Sequence, residues 1–395
     1  MRRRGFFVEQ VAVRRRIDPM MIGILFALIV IGTGMLWSAS WYRAEQLYDD
    51  PTRFVLRQGL WILVGIVVMT IAALVPLDIV RRFLPGLVLV TAALSLMTFI
   101  PGISARYMGA RRWIVLFNVS FQPSELVKLT LILYLAHIFS RKEGDFSDPL
   151  HSLFPPALVA GVFATIVLFQ NDFSTAMFLV MVSLALFFAA GVPLSYFLRM
   201  FALVVPLSLI LIFTREHRVR RIIAFLNPAH DPTGGGFQIL AARRALENGG
   251  LWGMGIGQGA RKLGGLPEAQ SDFIFAVIGE ELGFFGVAVI VLLFAALAIR
   301  GLILADRQGD WFRSLIVFGV VAAISFQAFL NIAVVVGAVP ATGITLPFFS
   351  SGGSSLLVSF GMCGFLLNAA APAGEPRRTR NFYTVGTPRW EAPRV

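Results

Sequence analysis

Asp272 is the residue whose position in the sequence most clearly points to chemistry. It lies at the junction between a polar, glycine-rich segment and a long apolar segment. A carboxylate held where water meets hydrocarbon can take a proton from a hydroxyl group of a molecule that lies in the membrane surface. The same position also suits a helix N-cap, in which the carboxylate would only accept hydrogen bonds from backbone amides. The sequence leaves these two roles open.

Two glutamates, Glu280 and Glu281, follow Asp272 within the apolar segment. On one continuous helix they would lie about two turns, or roughly 12 Å, farther into the membrane. Ionisable residues at such a depth usually line a polar interior or a substrate path. We therefore predict that Glu280 contributes to a hydrated cavity that opens outward.

A charged pair, Glu125 and Lys128, lies near the start of another apolar segment. The spacing of three places both side chains on one face of a helix. Because a charge at mid-bilayer costs about 2.5–3.5 kcal/mol, the two groups are expected to neutralise each other and to face a polar cavity. The sequence is compatible with a purely structural ion pair and with a cavity lining that meets a substrate.

Arg111 and Arg112 precede Trp113 at a predicted boundary between membrane and water. Arginine and tryptophan are common interfacial anchors, and a guanidinium group is also suited to bind phosphate through two hydrogen bonds. Both roles stay open. For Asp172, at another predicted helix boundary, we favour an N-cap.

Other motifs do not indicate a cofactor or a metal site. The glycine-rich segment 249–259 resembles a nucleotide-binding loop, but it lies between apolar segments and not within a βαβ unit. Its glycines are expected to permit tight turns beside a substrate or a lipid. The four histidines lack metal-ligand spacing, and a single cysteine, Cys363, cannot form an internal disulfide.

The composition indicates a membrane protein. The 395 residues are 57% hydrophobic and 14% charged, and the mean hydropathy is +0.78. A formal net charge of +12 would suggest nucleic-acid binding in a soluble chain. Here the arginines flank apolar segments, so they are better explained as determinants of membrane topology. The expected partner is therefore the membrane and not nucleic acid.

Ten apolar segments are long enough to be membrane-spanning helices. They form a predicted domain at residues 19–371, between a basic arm at residues 1–18 and a basic, proline-rich tail at residues 372–395 that is expected to be disordered. The longest loop, residues 215–271, separates the seventh and eighth spans. The predicted spans are 19–40, 54–74, 83–99, 123–141, 154–169, 173–190, 196–214, 272–299, 314–336 and 355–371.

Positive charge determines the predicted orientation of these spans. With an even number of spans the two termini share one side, and that side collects most of the Lys and Arg residues outside the long loop. Under the positive-inside rule both termini are cytoplasmic, and residues 215–271 form a large extracytoplasmic loop.

Five sequence blocks resemble the SEDS family, the shape, elongation, division and sporulation proteins of bacterial membranes. The resemblance extends in order over nearly the whole chain, and the segment from Lys262 to residue 276 is more similar to the division branch than to the elongation branch. The blocks are Gly109–Ile114 with Gln122–Glu125, Gln170–Asp172 with Thr175–Ala176, Asn227–Pro228 with Asp231–Pro232, Leu266–Ala276 with Glu280–Gly283, and Pro340–Ser355.

The resemblance implies an all-α membrane fold of about ten helices and a peptidoglycan glycosyltransferase that polymerises lipid II at the division septum. It implies a class B penicillin-binding protein, a transpeptidase, as partner, together with other division-machinery proteins of the inner membrane. The essential aspartate of the family corresponds to Asp272, and its intramembrane pair to Glu125 and Lys128. Asn171 and Ser351 depart from the family pattern, which often has proline and tyrosine there.

In the implied reaction, Asp272 is expected to be the general base for the 4-hydroxyl group of the acceptor N-acetylglucosamine. The leaving group is undecaprenyl diphosphate, which needs positive charge and not a second acid. A divalent cation, Mg²⁺ or Mn²⁺, could add to this charge, although the sequence establishes no cofactor. The candidate cationic side chains are Arg111, Arg112, Arg243, Arg244 and Lys262.

Three alternatives remain at the level of the sequence. One is an elongation polymerase of the same family. Another is a lipid II flippase, because a charged, hydrated cavity also suits a transporter. A scaffold for the division machinery is the third. The product separates the flippase and the scaffold from a polymerase of either kind, since only a polymerase lengthens glycan strands.

Overall fold

A computed structural model describes residues 17–107, 110–116, 119–142, 148–231, 234–259 and 266–371. Lys262, the tail and most of the basic arm lie outside these residues. The described helices are α1 Pro19–Tyr48, α2 Arg53–Leu74, α3 Leu77–Met97, α4 Pro123–Ser140, α5 Pro149–Ser152, α6 Phe154–Phe169, α7 Phe173–Ala189, α8 Leu194–Phe213, α9 Glu216–Leu226, α10 Gly235–Gly249, α11 Ile274–Asp306, α12 Trp311–Val335 and α13 Gly353–Ala370. The strands are β1 Ser104–Tyr107, β2 Ala110–Leu116 and β3 Val119–Phe121, and a short 3₁₀ helix covers Pro228–His230.

Ten of these helices follow the ten predicted spans in order, which confirms the all-α membrane fold. Seven of them, α1, α2, α3, α8, α11, α12 and α13, are long and apolar enough to cross a bilayer. Helices α6 and α7 are shorter apolar helices, and α4 carries the charged pair. The central helices are α12 and α13, while α2 and α8 expose most of their surface to lipid.

Proline and aspartate residues set several helix starts. Pro19 and Pro123 each occupy the first turn of their helix, where a missing amide proton costs nothing. Asp18 caps α1 by accepting a hydrogen bond of 2.8 Å from the amide of Met21, and Asp310 caps α12 in the same way.

Ion pairs at the two ends of the bundle agree with the predicted orientation. Asp18, before α1, pairs with Arg300 near the end of α11, so these ends share a side. At the opposite end of α1, Arg43 lies 3.3 Å from Glu268 of the long loop. The long loop therefore lies on the side opposite the start of α1, as the positive-inside argument requires.

The segment between α3 and α4 forms a small antiparallel sheet in the order β1-β2-β3. No strand was predicted in this segment. Strand β2 carries Arg111, Arg112 and Trp113. Because Ile114 pairs with both Ser104 and Phe121, the sheet fixes these side chains relative to the start of α4.

Helix α11 is broken at Gly283, where φ is 65° and ψ is −164°. Only the part after this break, from Phe284 to Asp306, crosses the membrane, and its length of about 34 Å at 1.5 Å per residue is sufficient. The part before the break, Ile274–Leu282, is almost entirely buried within the protein. The prediction of one continuous span beginning at Asp272 is therefore corrected.

The break also changes the depth of the glutamates. The Ser38 hydroxyl donates to the Glu281 carboxylate at 2.6 Å, which places Glu281 near the outer part of α1. The estimate that placed Glu281 two turns farther into the membrane assumed one continuous span from Asp272, so it does not apply to Glu281.

Candidate active site

Asp272 lies in a turn immediately before α11. The helix begins at Ile274 with Phe273 as its N-cap, and no side chain caps it. The N-cap role that the sequence left open is therefore not the one that Asp272 has. Asn331 of α12 donates to the backbone carbonyl of Asp272 at 2.8 Å, which holds the turn in place. No described group forms a hydrogen bond or ion pair with the Asp272 carboxylate, so it is available to a ligand.

The Asp272 carboxylate faces a cavity of about 320 Å³, here called the carboxylate cavity. Strand β2, helices α4, α7, α9 and α12, and the loop before α13 contribute to its wall. Its ionisable lining residues are Arg112, Glu125, Lys128, Asp172, Arg221, Glu268 and Asp272.

The surroundings make Asp272 a stronger base than an exposed aspartate. Burial, which disfavours the charged form, and the nearby negative charge of Glu268 raise the pKa of Asp272 from 3.8 to about 6. Arg221 and Arg112 act in the opposite direction and keep the carboxylate ionised at neutral pH. A pKa slightly below the working pH is suitable for a general base.

Glu125 and Lys128 form the predicted ion pair. The Lys128 ammonium lies 2.7 Å from the Glu125 carboxylate and donates to the Gln327 side-chain carbonyl at 3.0 Å. Both side chains are buried and both line the carboxylate cavity. The structural role and the cavity-lining role therefore occur together.

Arg112 and Asp172 form a second ion pair in the cavity wall, with 3.5 Å between charged atoms. Asp172 is also the N-cap of α7, because it accepts a hydrogen bond of 3.3 Å from the amide of Thr175. The N-cap prediction for Asp172 is confirmed, and the ion pair adds a role that the sequence did not show.

A second cavity of about 580 Å³ adjoins the first and is called here the basic chamber. The two share Arg112, Asp172, Arg221 and Thr342 in their walls, so they meet at these residues. Helix α9 supplies or flanks most of the positive charge through Arg215, Arg218 and Arg221, and His217 of the same helix also lines the chamber.

These α9 residues were not predicted, because residues 215–271 were interpreted only as a long polar loop. The sequence nevertheless contains a pattern that predicts a basic helix face. Arginine occurs at every third position, at Arg215, Arg218 and Arg221, and residues with this spacing share one face of a helix. Burial and the neighbouring arginines lower the pKa of His217, so His217 is neutral at pH 7 and the arginines carry the charge.

Two of these arginines are oriented by defined contacts. Arg218 donates to the Leu211 carbonyl at 2.6 Å, and its guanidinium lies 5.0 Å from the ring centre of Phe173. Arg221 makes a longer hydrogen bond of 3.4 Å to the Ala341 carbonyl. Arg221 is thereby held at the junction of the two cavities.

Glu280 does not line the carboxylate cavity. It is fully buried beneath α10, and Asn248 donates to its carboxylate at 3.2 Å. Its predicted place in an outward-opening cavity is corrected, because the break at Gly283 turns this part of α11 into the protein interior.

Three other predicted cations also lie outside the cavity walls. Arg111 donates to the Phe99 carbonyl at 3.4 Å. Arg243 is exposed on α10, where it pairs with Glu247 at 3.1 Å, and its neighbour Arg244 is also exposed. Lys262 lies outside the described residues. Of the predicted cations that the structure describes, only Arg112 lines the cavity that holds Asp272.

Within the described ranges, no three His, Cys, Asp or Glu side chains are arranged to hold a metal ion. Mg²⁺ is commonly held by one or two carboxylates together with substrate phosphates and water. The residues of the carboxylate cavity can supply such a partial ligand set but not a complete protein cage.

The fold and this site define a multi-pass membrane protein with a buried carboxylate and a cluster of cations in adjoining cavities. The chain belongs to the cell cycle protein family of FtsW, RodA and SpoVE, whose profile matches residues 18–374. The resemblance to the SEDS proteins is thereby confirmed.

Named relatives and a solved structure agree with this assignment. The chain is 40% identical over 352 residues to a probable peptidoglycan glycosyltransferase FtsW of Geobacter sp. (strain M18), covering 89% of this chain and 96% of that protein. It is 36% identical over 353 residues to stage V sporulation protein E of Bacillus subtilis, covering 89% and 96% respectively. A chain from a study of polymerization and crosslinking by a peptidoglycan synthase complex superposes with a TM-score of 0.74 at 25% identity, covering 90% of this chain and 97% of that one.

Proposed function

We propose that this protein is a peptidoglycan glycosyltransferase that polymerises lipid II, with Asp272 as the general base. The observation that carries the proposal is the Asp272 carboxylate itself. It has no hydrogen-bond partner among the described residues, its pKa is raised to about 6, and it lies in a cavity that joins a chamber rich in arginine.

The reaction joins two membrane-anchored saccharides. Asp272 takes the proton from the 4-hydroxyl group of the acceptor N-acetylglucosamine as its oxygen attacks the anomeric carbon of the donor N-acetylmuramic acid. A new glycosidic bond forms while the bond from that carbon to the diphosphate oxygen breaks. Attack opposite the leaving group converts an α-linked donor into a β-linked product. A positioned base of this kind contributes about 10²–10⁴ to the rate.

The leaving diphosphate belongs in the basic chamber. Arg221 and Arg112 stand where the two cavities meet, and Arg215 lies farther along the chamber wall. Guanidinium groups bind phosphate oxygens in a bidentate manner and stabilise the negative charge that develops as the bond breaks. Apolar side chains such as Ile212 and Ile222 line the same chamber, which suits the first units of a polyprenyl chain.

A divalent cation would be held mainly by the diphosphate oxygens, with one or two carboxylates of the carboxylate cavity completing the ligand set. Such an ion would add positive charge at the leaving group. The roles of Asp272 and the arginines do not depend on it.

The relevant assembly is a complex with a class B penicillin-binding protein in the bacterial inner membrane, at the division septum. The superposition with a chain of a peptidoglycan synthase complex supports a transpeptidase partner, and the relatives named FtsW support a role in division. Cross-linking of the strands would then follow directly on polymerisation.

The test is polymerisation of lipid II by the purified chain with its transpeptidase partner. Asp272→Asn keeps the shape of the side chain and removes its basicity, so glycan products should fall by at least about a hundredfold. Asp49→Asn is a matched control, because Asp49 is an exposed aspartate on the outer side with a left-handed backbone that asparagine accepts.

Polymerisation by Asp272→Asn at the wild-type rate would contradict the assignment of the base. If the wild-type complex moves labelled lipid II across vesicles and never lengthens glycans, the protein is a flippase and the proposed activity is wrong.

A further inference from the structure

A basic pocket of about 590 Å³ lies at the end of the bundle opposite the catalytic cavities. Helix α3 contributes its first turns, α4 its last turn, and Asp310 stands at the start of α12. These ends are on the cytoplasmic side of the predicted topology. The lining residues are Arg81, Arg82, His137, Ser140, Arg141 and Asp310.

Arg81 forms the inner wall of this cytoplasmic pocket. It lies 3.1 Å from Asp310 and 3.6 Å from Asp78, and its guanidinium stacks 4.4 Å from the ring centre of Phe312. The two carboxylates neutralise the charge of Arg81. Its Nε atom is nevertheless buried without a hydrogen-bond partner among the described residues. The inner wall is therefore fixed and retains an unused donor.

Arg82 and Arg141 form the outer rim of the pocket. Both are exposed, and neither forms an ion pair with a carboxylate of the described residues. With Arg81 and Asp310 paired, these two arginines leave the pocket with a net positive charge. A positively charged recess at the cytoplasmic end of a transmembrane bundle suits an anion.

His137 provides a second unused polar group. Its Nδ1 atom is buried and has no hydrogen-bond partner within the described ranges, while its ring meets the edge of Phe312 at 6.1 Å between centres. The Ser140 hydroxyl donates to the His137 carbonyl at 2.9 Å, and Ser140 also lines the pocket. The pocket thus combines two free cations with buried groups that can still form hydrogen bonds.

An apolar groove of about 400 Å³ lies on the membrane face between α2 and α3, with one residue each from α4 and α13 in its wall. Its wall includes Val80, Leu84 and Leu133. Leu84 is one turn from Arg81 on α3, and Leu133 is one turn from His137 on α4. The groove therefore reaches toward the basic pocket from the hydrocarbon side, and a molecule with a charged head and an apolar chain could occupy both.

We propose that this pocket binds the headgroup of an anionic glycerophospholipid of the cytoplasmic leaflet. Its phosphate lies between Arg82 and Arg141, and one acyl chain lies in the groove between α2 and α3. The apolar groove favours a lipid over free phosphate. The site is separate from the catalytic cavities at the other end of the bundle and does not depend on the proposed reaction.

The experiment titrates the purified full-length chain, in a neutral detergent, with phosphatidylglycerol and measures retained lipid by native mass spectrometry. Arg82→Gln with Arg141→Gln should weaken binding by about thirtyfold, from about 1 kcal/mol for each arginine near an anionic headgroup and 1.4 kcal/mol for each factor of ten. The matched control is Arg199→Gln with Arg307→Gln, two exposed arginines on the same side of the membrane and outside the pocket.

Asp310→Asn gives a test of opposite sign. Asparagine still caps α12, but the pocket loses its negative charge, so phosphatidylglycerol should bind more tightly. A variant that merely disturbed the fold would bind more weakly. If the double arginine variant does not fold, the direction of the change in Asp310→Asn decides the question.

Two further binding measurements, with a neutral lipid and with inorganic phosphate, identify the ligand. Phosphatidylcholine, which has the same chains and no net charge, should bind the wild-type protein at least about tenfold more weakly than phosphatidylglycerol. Equal binding of the two lipids, or unchanged phosphatidylglycerol binding in the double arginine variant, would overturn the proposal. Displacement of phosphatidylglycerol by equimolar inorganic phosphate would overturn it too, because the site would then recognise a soluble anion.

Discussion

The dependence of the polymerisation rate on pH is the most direct test of how the site works. Since the base must be ionised, the rate should follow the fraction of Asp272 that is deprotonated. With a pKa of about 6, about nine-tenths of the carboxylates are ionised at pH 7 and about one-tenth at pH 5. The rate should therefore fall about tenfold between these values, whereas an aspartate with its ordinary pKa would give an almost constant rate.

The part of the pH–rate profile in which the rate falls toward low pH is called here the acid limb. Two substitutions should move it in opposite directions. Glu268 raises the pKa of Asp272 and Arg221 lowers it. Glu268→Gln should therefore shift the acid limb to lower pH and preserve more activity at pH 5. Arg221→Gln should shift the limb to higher pH, in addition to reducing the maximal rate through weaker binding of the diphosphate.

The assay measures initial rates of lipid II polymerisation by the purified complex from about pH 4.5 to pH 8.5, a range that spans the expected ionisation. Each variant is compared by the position of its acid limb and not by its maximal rate. Glu247→Gln is the control, because Glu247 is exposed on α10 and pairs only with Arg243 among the described residues. A flat profile down to pH 5, or a shift of both variants in the same direction, would refute the reasoning.

Three further predictions concern stability. Above pH 6 the buried charge of Asp272 costs up to about 3 kcal/mol. At about pH 3 the carboxyl group is protonated in both the folded and the unfolded state and the cost vanishes, so Asp272→Asn should raise the melting temperature at pH 7 and not at pH 3. An equal gain at both values would contradict this. Lys128→Met leaves Glu125 buried without its cation and should destabilise by about 3–5 kcal/mol, and adding Glu125→Gln should restore most of that loss in the same melting experiment. Gly283→Ala should lower the melting temperature and the activity, because φ is 65° there and a Cβ would lie 2.3 Å from the Gly253 amide nitrogen, whereas Gly34→Ala, with open space around it, should be neutral.

The membrane spans were predictable because hydrocarbon tolerates little besides long apolar helices. The first span was predicted to begin at Pro19, where α1 begins, and the sixth at Phe173, where α7 begins. The strands β1 to β3 were missed since each is short and lies in a polar loop, where no long alternating pattern can develop. The break at Gly283 was also missed, because glycine is frequent in transmembrane helices and does not by itself mark a reversal.

The residues of the site were predictable where a charged residue lies in or at the end of an apolar segment. Asp272, Glu125 and Lys128 were recognised in this way, and all three line one cavity. Arg221 was not, because it lies in a long polar loop where charged residues are common. Its place opposite Asp272 depends on how α9 folds back over the bundle, and local sequence does not contain that information. Glu280 was misplaced for the related reason that its depth depends on the break at Gly283.

The break in α11 is stabilised by the glycine-rich segment that follows α10. Interrupting a helix at the edge of a membrane frees backbone groups that cost several kcal/mol each if they are left unpaired. Here the carbonyls of Glu280 and Glu281 accept hydrogen bonds of 3.0 Å from the amides of Met254 and Gly255. The amides of Phe284 and Phe285 in turn donate to the carbonyls of Gly250 and Leu251, at 2.9 and 3.3 Å.

Such close contact between two backbones requires glycine on both sides. A Cβ at Gly253 would lie 2.2 Å from the Glu281 carbonyl, and a Cβ at Gly249 would lie 1.9 Å from the Gly279 carbonyl. The segment therefore holds the break in α11, at which a helix buried in the protein ends and a membrane-spanning helix begins. Because the buried helix starts at Ile274, these backbone contacts also fix the turn that carries Asp272. The glycines thus position Asp272, the proposed general base, through the backbone.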